Sequence, residues 1–225
     1  MLSLSVARLR EWSFWSLIFP SRCAYCSKEM PGSCVLFCDA CWADLPRAEK
    51  TPSERVPKHC DRVHAGFAYR EGGITREMVH ALKFDGHTSL APRMAEFMIR
   101  TLPAGFVDTD DVWVPVPLHW MRYGDRSFNQ SLLIARELCA RTGGDVIQLI
   151  KRTRNTPAQS GQGFRMRALN VKGAFRYSYK GEPPKSVLLI DDVVTTGATV
   201  SECARVLKAG GVERVRVLAF ARAVA

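Results

Sequence analysis

The stretch Ser186 to Val200, SVLLIDDVVTTGATV, constrains this chain more than any other. Val187 to Ile190 are apolar without alternation, so a strand built from them has no polar face and needs cover on both sides, as in a parallel sheet. Asp191 and Asp192 close that run. The small, hydroxyl-rich turn Thr195-Thr196-Gly197-Ala198-Thr199 then opens a helix with the stripe Val200, Cys203, Ala204 and Leu207. In an open α/β sheet ligands sit at the carboxyl ends of strands. Backbone N–H groups and hydroxyls at a helix N-terminus suit a phosphate, and Gly197 allows close approach because it has no Cβ. The acids repel a phosphate, but they suit vicinal hydroxyls, which donate hydrogen bonds to carboxylates, and a hydrated Mg²⁺. A ribose 5-phosphate meets both demands. The competing reading is a solvated strand end before a Thr-capped helix; it accounts for two acids but not for the whole string.

The rest of the chain supplies the sheet that such a strand needs. From residue 63 onward short β runs alternate with amphipathic helices: strands at 67–69, 111–116, 145–150, 186–190 and 214–220. Helical faces are marked by Ile74, Met78 and Ala81, by Leu90, Met94, Phe97 and Thr101, and by Phe128, Leu132, Ala135 and Cys139. The alternation predicts an α/β fold with a largely parallel sheet flanked by helices. Residues 151–180 read as a loop carrying eight Lys or Arg and no acid, a composition suited to a lid over an anion. Residues 1–62 are rich in Cys, Pro and Ser and lack periodicity, which divides the chain into a small N-terminal module (1–62) and an α/β domain (63–225).

A formal net charge of +10 favours a polyanionic partner, either nucleic acid or a phosphate-rich metabolite. No apolar run approaches the roughly 18–20 residues that span a bilayer, so no integral span is expected. Trp12 to Pro20 reads as an amphipathic lead-in, with a membrane-surface role as the alternative. G-x-x-x-x-G-K-[ST] is absent, and Gly161-Gln162-Gly163 neither follows a strand nor has the third glycine of a dinucleotide fingerprint. None of His59, His80, His87 and His119 pairs with a nucleophile-like residue; His119, just past a strand, is placed to touch a substrate.

Six of the eight cysteines fall between Cys23 and Cys60. Cys23-x-x-Cys26 and Cys38-x-x-Cys41, eleven residues apart, can wrap a tetrahedral Zn²⁺ with four thiolates. That gap is below the ~15–20 residues usual for the pattern. Cys34 is an alternative to Cys38, and Cys60 with His64 is an alternative contributor. A redox pair is the competing reading. Four protein ligands leave no open position, so the zinc would be structural. The absence of a secretory signal and of evenly spaced cysteines points to the cytoplasm.

The string of apolar residues, two acids, an apolar stretch and TTGAT resembles the phosphoribosyl-pyrophosphate (PRPP) motif of type I phosphoribosyltransferases. The resemblance assigns the ribose hydroxyls to Asp191 and Asp192, and the 5-phosphate to Thr195, Thr196, Gly197, Ala198 and Thr199. VPVPLHWMRYGDRSFNQSLLIA (114–135) is similar to the pyrophosphate-loop region of the ComF family, with Ser127 where that family usually has glycine. LKFDG (82–86) and the segment 151–175, through Lys151, Arg152, Gln159, Arg167, Asn170 and Phe175, resemble that family too.

The likeness places Leu118, His119, Arg122 and Arg126 in a pyrophosphate loop, and Arg165 and Arg167 in a lid. It implies a type I phosphoribosyltransferase-like sheet with an N-terminal zinc-finger-like module. A pyrophosphate leaving group needs such cations while charge builds on its oxygens.

Two functions stay open. One is Mg²⁺-dependent transfer of a phosphoribosyl group from PRPP to an acceptor that the sequence leaves unspecified. The other is a PRPP-sensing or nucleic-acid-binding module without turnover. The resemblance implies a part in natural competence, with single-stranded DNA and a helicase-like competence protein as partners. It assigns no oligomeric state.

Overall fold

The computed structural model describes residues 21–30, 35–48, 56–118, 128–154 and 171–224. The chain divides into two compact units, Met1–Leu45 and Pro46–Ala225. Composition put the change near residue 62. The backbone ties 46–48 to the larger unit, because Ala48 N–H donates to Gly66 and Ala68 N–H to Pro46. The lead-in at 12–20 lies outside the described residues.

The small unit carries the hairpin β1 (Ser21–Arg22) and β2 (Glu29–Met30), paired antiparallel, followed by the short helix α1 (Asp39–Ala43). Phe37 and Trp42 are buried there. Units of this size usually need a staple such as a metal beside their apolar core.

The large unit is built on a five-stranded, wholly parallel sheet in the order β3-β9-β8-β4-β5. Its strands are β3 (Arg62–Tyr69), β4 (Val112–Pro115), β5 (Asp145–Val146), β8 (Ser186–Val194) and β9 (Arg214–Ala223). β6 (Ile150–Arg152) and β7 (Phe175–Tyr177) form a separate antiparallel pair. The expected strand 145–150 is therefore two strands: β5 ends the sheet, and β6 leaves it to pair with β7. β7 lies in the stretch read as loop, because three residues carry too little periodicity to register.

The helices are α2 (Ile74–Lys83), α3 (Ala91–Ile99), α4 (Gln130–Thr142) and α5 (Ala198–Ala209). Val200, Cys203 and Leu207 of α5 close over Val187, Leu189, Val215 and Val217 on one face of the sheet, together with Ile150 and Phe175 of the hairpin. Residues of opposite parity, Leu188, Ile190, Leu218 and Phe220, are just as buried and belong with the face of α2, α3 and α4. Both faces of β8 are covered, as its unbroken apolar run demands.

The strand order positions the site. From β4 the chain moves outward through α4 to β5, whereas from β8 it moves the other way through α5 to β9. Connections that diverge at the carboxyl ends of neighbouring strands open a crevice between them. At the other edge, where β8 and β9 begin, the sheet is closed by charge. Arg216, 5% exposed, donates to Phe106 O at 2.7 Å, Asp108 at 2.8 Å and Asp111 at 2.6 Å, and Ser186 Oγ donates to Asp111 at 2.6 Å. Truncating the arginine leaves the buried Asp111 without its cation. Arg216→Ala is therefore expected to cost about 3–5 kcal/mol of unfolding free energy. Urea unfolding measures this, and the double variant with Asp111→Ala should lose clearly less than the sum of the two singles.

Candidate functional site

The crevice between the ends of β4 and β8 is a cleft of about 310 Å³. Its walls come from both strand ends and from the starts of α4 and α5, with the end of α2 across from them. β8 does not stop at the acids. It runs through them to Val194, so Asp191 and Asp192 are strand residues and are buried, at 9% and 2% exposure. The ladder to β9, with Asp191 opposite Ala219 and Val193 opposite Ala221, holds the backbone at the acids.

Each acid is met by a different helix. Asp191 Oδ1 accepts from Ser131 Oγ at 3.2 Å and from the Asp192 N–H at 3.0 Å. Ser131 is in place because Asn129 caps α4: its Oδ1 accepts from the N–H groups of Ser131 and Leu132, while its Nδ2 donates to Val116 O at 3.1 Å. One side chain thus fixes the start of α4 to the end of β4. Asp192 Oδ1 pairs with Lys83 Nζ at 2.7 Å, and Asp192 Oδ2 is buried without a hydrogen-bond partner among the described residues. Gln130 Oε1, also in the cleft wall, is in the same state. Two buried oxygens of this kind cost free energy unless a ligand supplies donors.

Thr195 and Thr199 line the cleft, and with Gly197 and Ala198 they line a smaller hollow of about 20 Å³. Gly197 precedes α5 with φ 75°, a left-handed conformation that disfavours other residues. A Cβ there would also meet Pro57 Cγ at 3.0 Å. Thr196 folds onto the turn instead, its Oγ1 accepting from the Ala198 N–H at 3.3 Å. The first N–H groups of α5 have no partner within the helix and carry its positive end toward the hollow.

Leu118 lines the cleft. His119, Arg122, Arg126, Arg165 and Arg167 lie outside the described residues. Lys83, Ser131, Gln130 and Arg152 were not singled out as site residues, and the structure places all four in the cleft wall. The only sequence signal for the first three was their position inside LKFDG and FNQS.

In the small unit Cys23, Cys26, Cys38 and Cys41 bring their sulfurs within 4.8 Å of one another. Cys23 and Cys41 lie 3.6 Å apart, Cys26 and Cys38 3.7 Å. A tetrahedron with metal–sulfur bonds of about 2.3 Å has edges of about 3.8 Å, so the cluster fits a metal held by four thiolates. The hairpin makes the first pair, with Ser27 N–H closing on Cys23 O, and α1 presents the second. Burial alone raises the Cys23 thiol, yet N–H groups of Cys26, Cys38 and Tyr25 outweigh it and bring it down to about 6. Burial and the neighbouring thiols push Cys41 up. Cys60 and His64 are engaged elsewhere, Cys60 Sγ on Val200 O at 3.8 Å and His64 Nε2 on Thr101 Oγ1 at 3.2 Å. Cys34 lies outside the described residues.

Burial pushes the Asp191 carboxyl up and the Asp192 charge pushes it further, to about 7, against the opposing pull of Lys83. The folded state then holds this proton more tightly than the unfolded chain. Its contribution to stability is complete below the unfolded value of 3.8 and is lost as pH rises through about 7. Without divalent ions, the stability difference between wild type and Asp191→Asn should shift in favour of the asparagine variant between pH 4 and 7. Urea midpoints across that range measure it, and a flat difference would remove the raised carboxyl.

A phosphoribosyl transferase domain matches residues 143–224, which hold β5 to β9 and the whole of the acid pair and its turn. The chain is 36% identical over 113 residues to competence protein F of Haemophilus influenzae, covering 49% of each protein. It is 35% identical over 150 residues to DNA utilization protein YhgH of Salmonella typhi, covering 64% of this chain and 66% of that protein. Competence protein ComFC of Streptococcus pneumoniae is 28% identical over 156 residues, 69% of this chain and 66% of its own. The matches thus span about half to two thirds of these relatives. A parallel sheet whose central strand carries Asp191-Asp192 before the Gly197 turn, a four-cysteine cluster earlier in the sequence and relatives of this kind agree: the chain belongs to the ComF family of phosphoribosyltransferase-like proteins.

Proposed function

We propose that the cleft binds PRPP with Mg²⁺ and that the chain uses this ligand in handling incoming DNA. The observation that carries the reading is the pairing of two opposite demands within nine residues of chain. Asp191 and Asp192 offer buried carboxylate oxygens to hydroxyl donors, and the Gly197 turn offers helix-end N–H groups to a phosphate. Asp191 and Asp192 take the ribose hydroxyls, and Thr195 to Thr199 take the 5-phosphate. Leu118 and Arg152 line the same cleft; by the resemblance, His119, Arg122 and Arg126 of one segment and Arg165 and Arg167 of another take the pyrophosphate. Mg²⁺ supplies charge neutralisation on the leaving pyrophosphate when bound, and the acid pair is the part of this chain suited to it. The protein's own contribution is positioning and preorganised charge; the reading requires no covalent intermediate.

The names of the relatives, for competence and for DNA utilization, support a part in DNA uptake; single-stranded DNA and a helicase-like protein are the partners of this reading. The cysteine cluster is a structural Zn²⁺ site, since all four positions are filled by protein.

Calorimetric titration tests the ligand. Wild type should bind PRPP with Mg²⁺ at a Kd below about 1 mM. Asp191→Asn and Asp192→Asn should each weaken binding by about 10–100-fold, the value of a charge-assisted hydrogen bond. No binding by wild type at millimolar PRPP would sink the reading. Pyrophosphate release with candidate acceptors then separates transfer from sensing.

Metal analysis of protein purified without chelator should return about one zinc per chain. Cys23→Ser with Cys41→Ser should abolish it and red-shift the tryptophan emission as Trp42, 1% exposed, meets water. Zinc-free wild type would remove the site.

A further inference from the structure

Lys83 belongs to neither acid's strand, and the end of α2 is built to deliver it. The helix stops at Lys83, Phe84 N–H closes on His80 O, and His87 N–H returns to Ala81 O at 3.1 Å around Gly86 with φ 72°. A cation in the last turn of a helix lies in a favourable field. Its side chain is 21% exposed and that of Asp192 3%, so their 2.7 Å ion pair is largely withdrawn from water while lining the cleft. One of three ammonium donors serves Asp192 Oδ1, and among the described residues the others have no second carboxylate in salt-bridge range. Two adjacent carboxylates without a fixed cation would reject any phosphorylated ligand and would attract free divalent cations instead.

We propose that Lys83 is the resident counter-ion of the acid pair: it keeps free divalent cations off Asp192 before a ligand arrives, then shares its ammonium with an anionic oxygen of the phosphorylated sugar. This role rests on the ribose-phosphate reading for its second half only. The counter-ion half stands on the geometry of Lys83 and Asp192.

The test titrates Mg²⁺ alone, and then PRPP with Mg²⁺, into wild type, Lys83→Met and Lys83→Arg, with thermal melts to verify folding. Lys83→Met should bind Mg²⁺ alone about tenfold or more tightly than wild type, and PRPP about tenfold or more weakly. Lys83→Arg, which keeps the charge, should stay close to wild type for Mg²⁺ alone. A merely structural role moves both affinities down together, and that result overturns the proposal, as does unchanged Mg²⁺ affinity in Lys83→Met. Lys83→Gln takes the place of Lys83→Met if the latter does not fold. Absence of PRPP binding by wild type defeats the ribose-phosphate reading, and the Mg²⁺ titrations still decide the counter-ion role.

Discussion

Burying two adjacent carboxylates in the central strand of a parallel sheet is the constraint on which the large unit depends. Asp191 and Asp192 have almost no access to water, so their charge must be met by protein. Ser131 comes from the start of α4, Lys83 from the end of α2, and the Asp192 N–H from the strand itself. Each partner requires its own element to be in place. Asn129 must cap α4 against β4, and α2 must end where it does. The acid pair and the sheet are therefore one construction, and disturbing either helix end disturbs the cleft.

The two edges of the sheet handle buried charge in opposite ways. At the N-terminal edge Arg216, Asp111 and Ser186 bond one another, with Arg216 Nε alone left without a partner among the described residues of the cluster. At the C-terminal edge Asp192 Oδ2 and Gln130 Oε1 are left without partners among the described residues. An unmet buried oxygen costs about 1–3 kcal/mol, a cost that a ligand's donors offset when it is bound. Diverging connections open the crevice at the carboxyl ends of β4 and β8.

Much of this was legible in the sequence because the signals were local. The unbroken run Val187–Ile190 implied a doubly covered strand, and the helix faces through Met78 and Met94 are buried as their spacing implies. On α4 the expected face of Phe128, Leu132, Ala135 and Cys139 is corrected: Phe128 precedes the helix, and the buried side is Ile134, Ala135 and Leu138, one position round from the expected stripe. The C-x-x-C spacing of Cys23, Cys26, Cys38 and Cys41 anticipated the sulfur cluster. Pairing was less legible. β8 extends through the acids because β9 continues alongside to Ala223, and a strand end is decided by its neighbour. β6 parts from β5 because its hydrogen bonds go to β7, more than twenty residues on. Lys83 and Ser131 gave no signal of their own, since an exposed-looking lysine and a helix-start serine are common.

By itself the sequence determined which residues are chemically suited to the site, the two acids, the glycine turn and the four cysteines, because composition and spacing act within one or two turns of chain. Only the tertiary structure decided who meets them. Lys83, Ser131 and Asp192 are 48 or more positions apart along the chain and converge because the order β3-β9-β8-β4-β5 brings the ends of α2, β4 and β8 to one crevice. Charge compensation across such separations is a property of packing, which no local pattern of residues encodes.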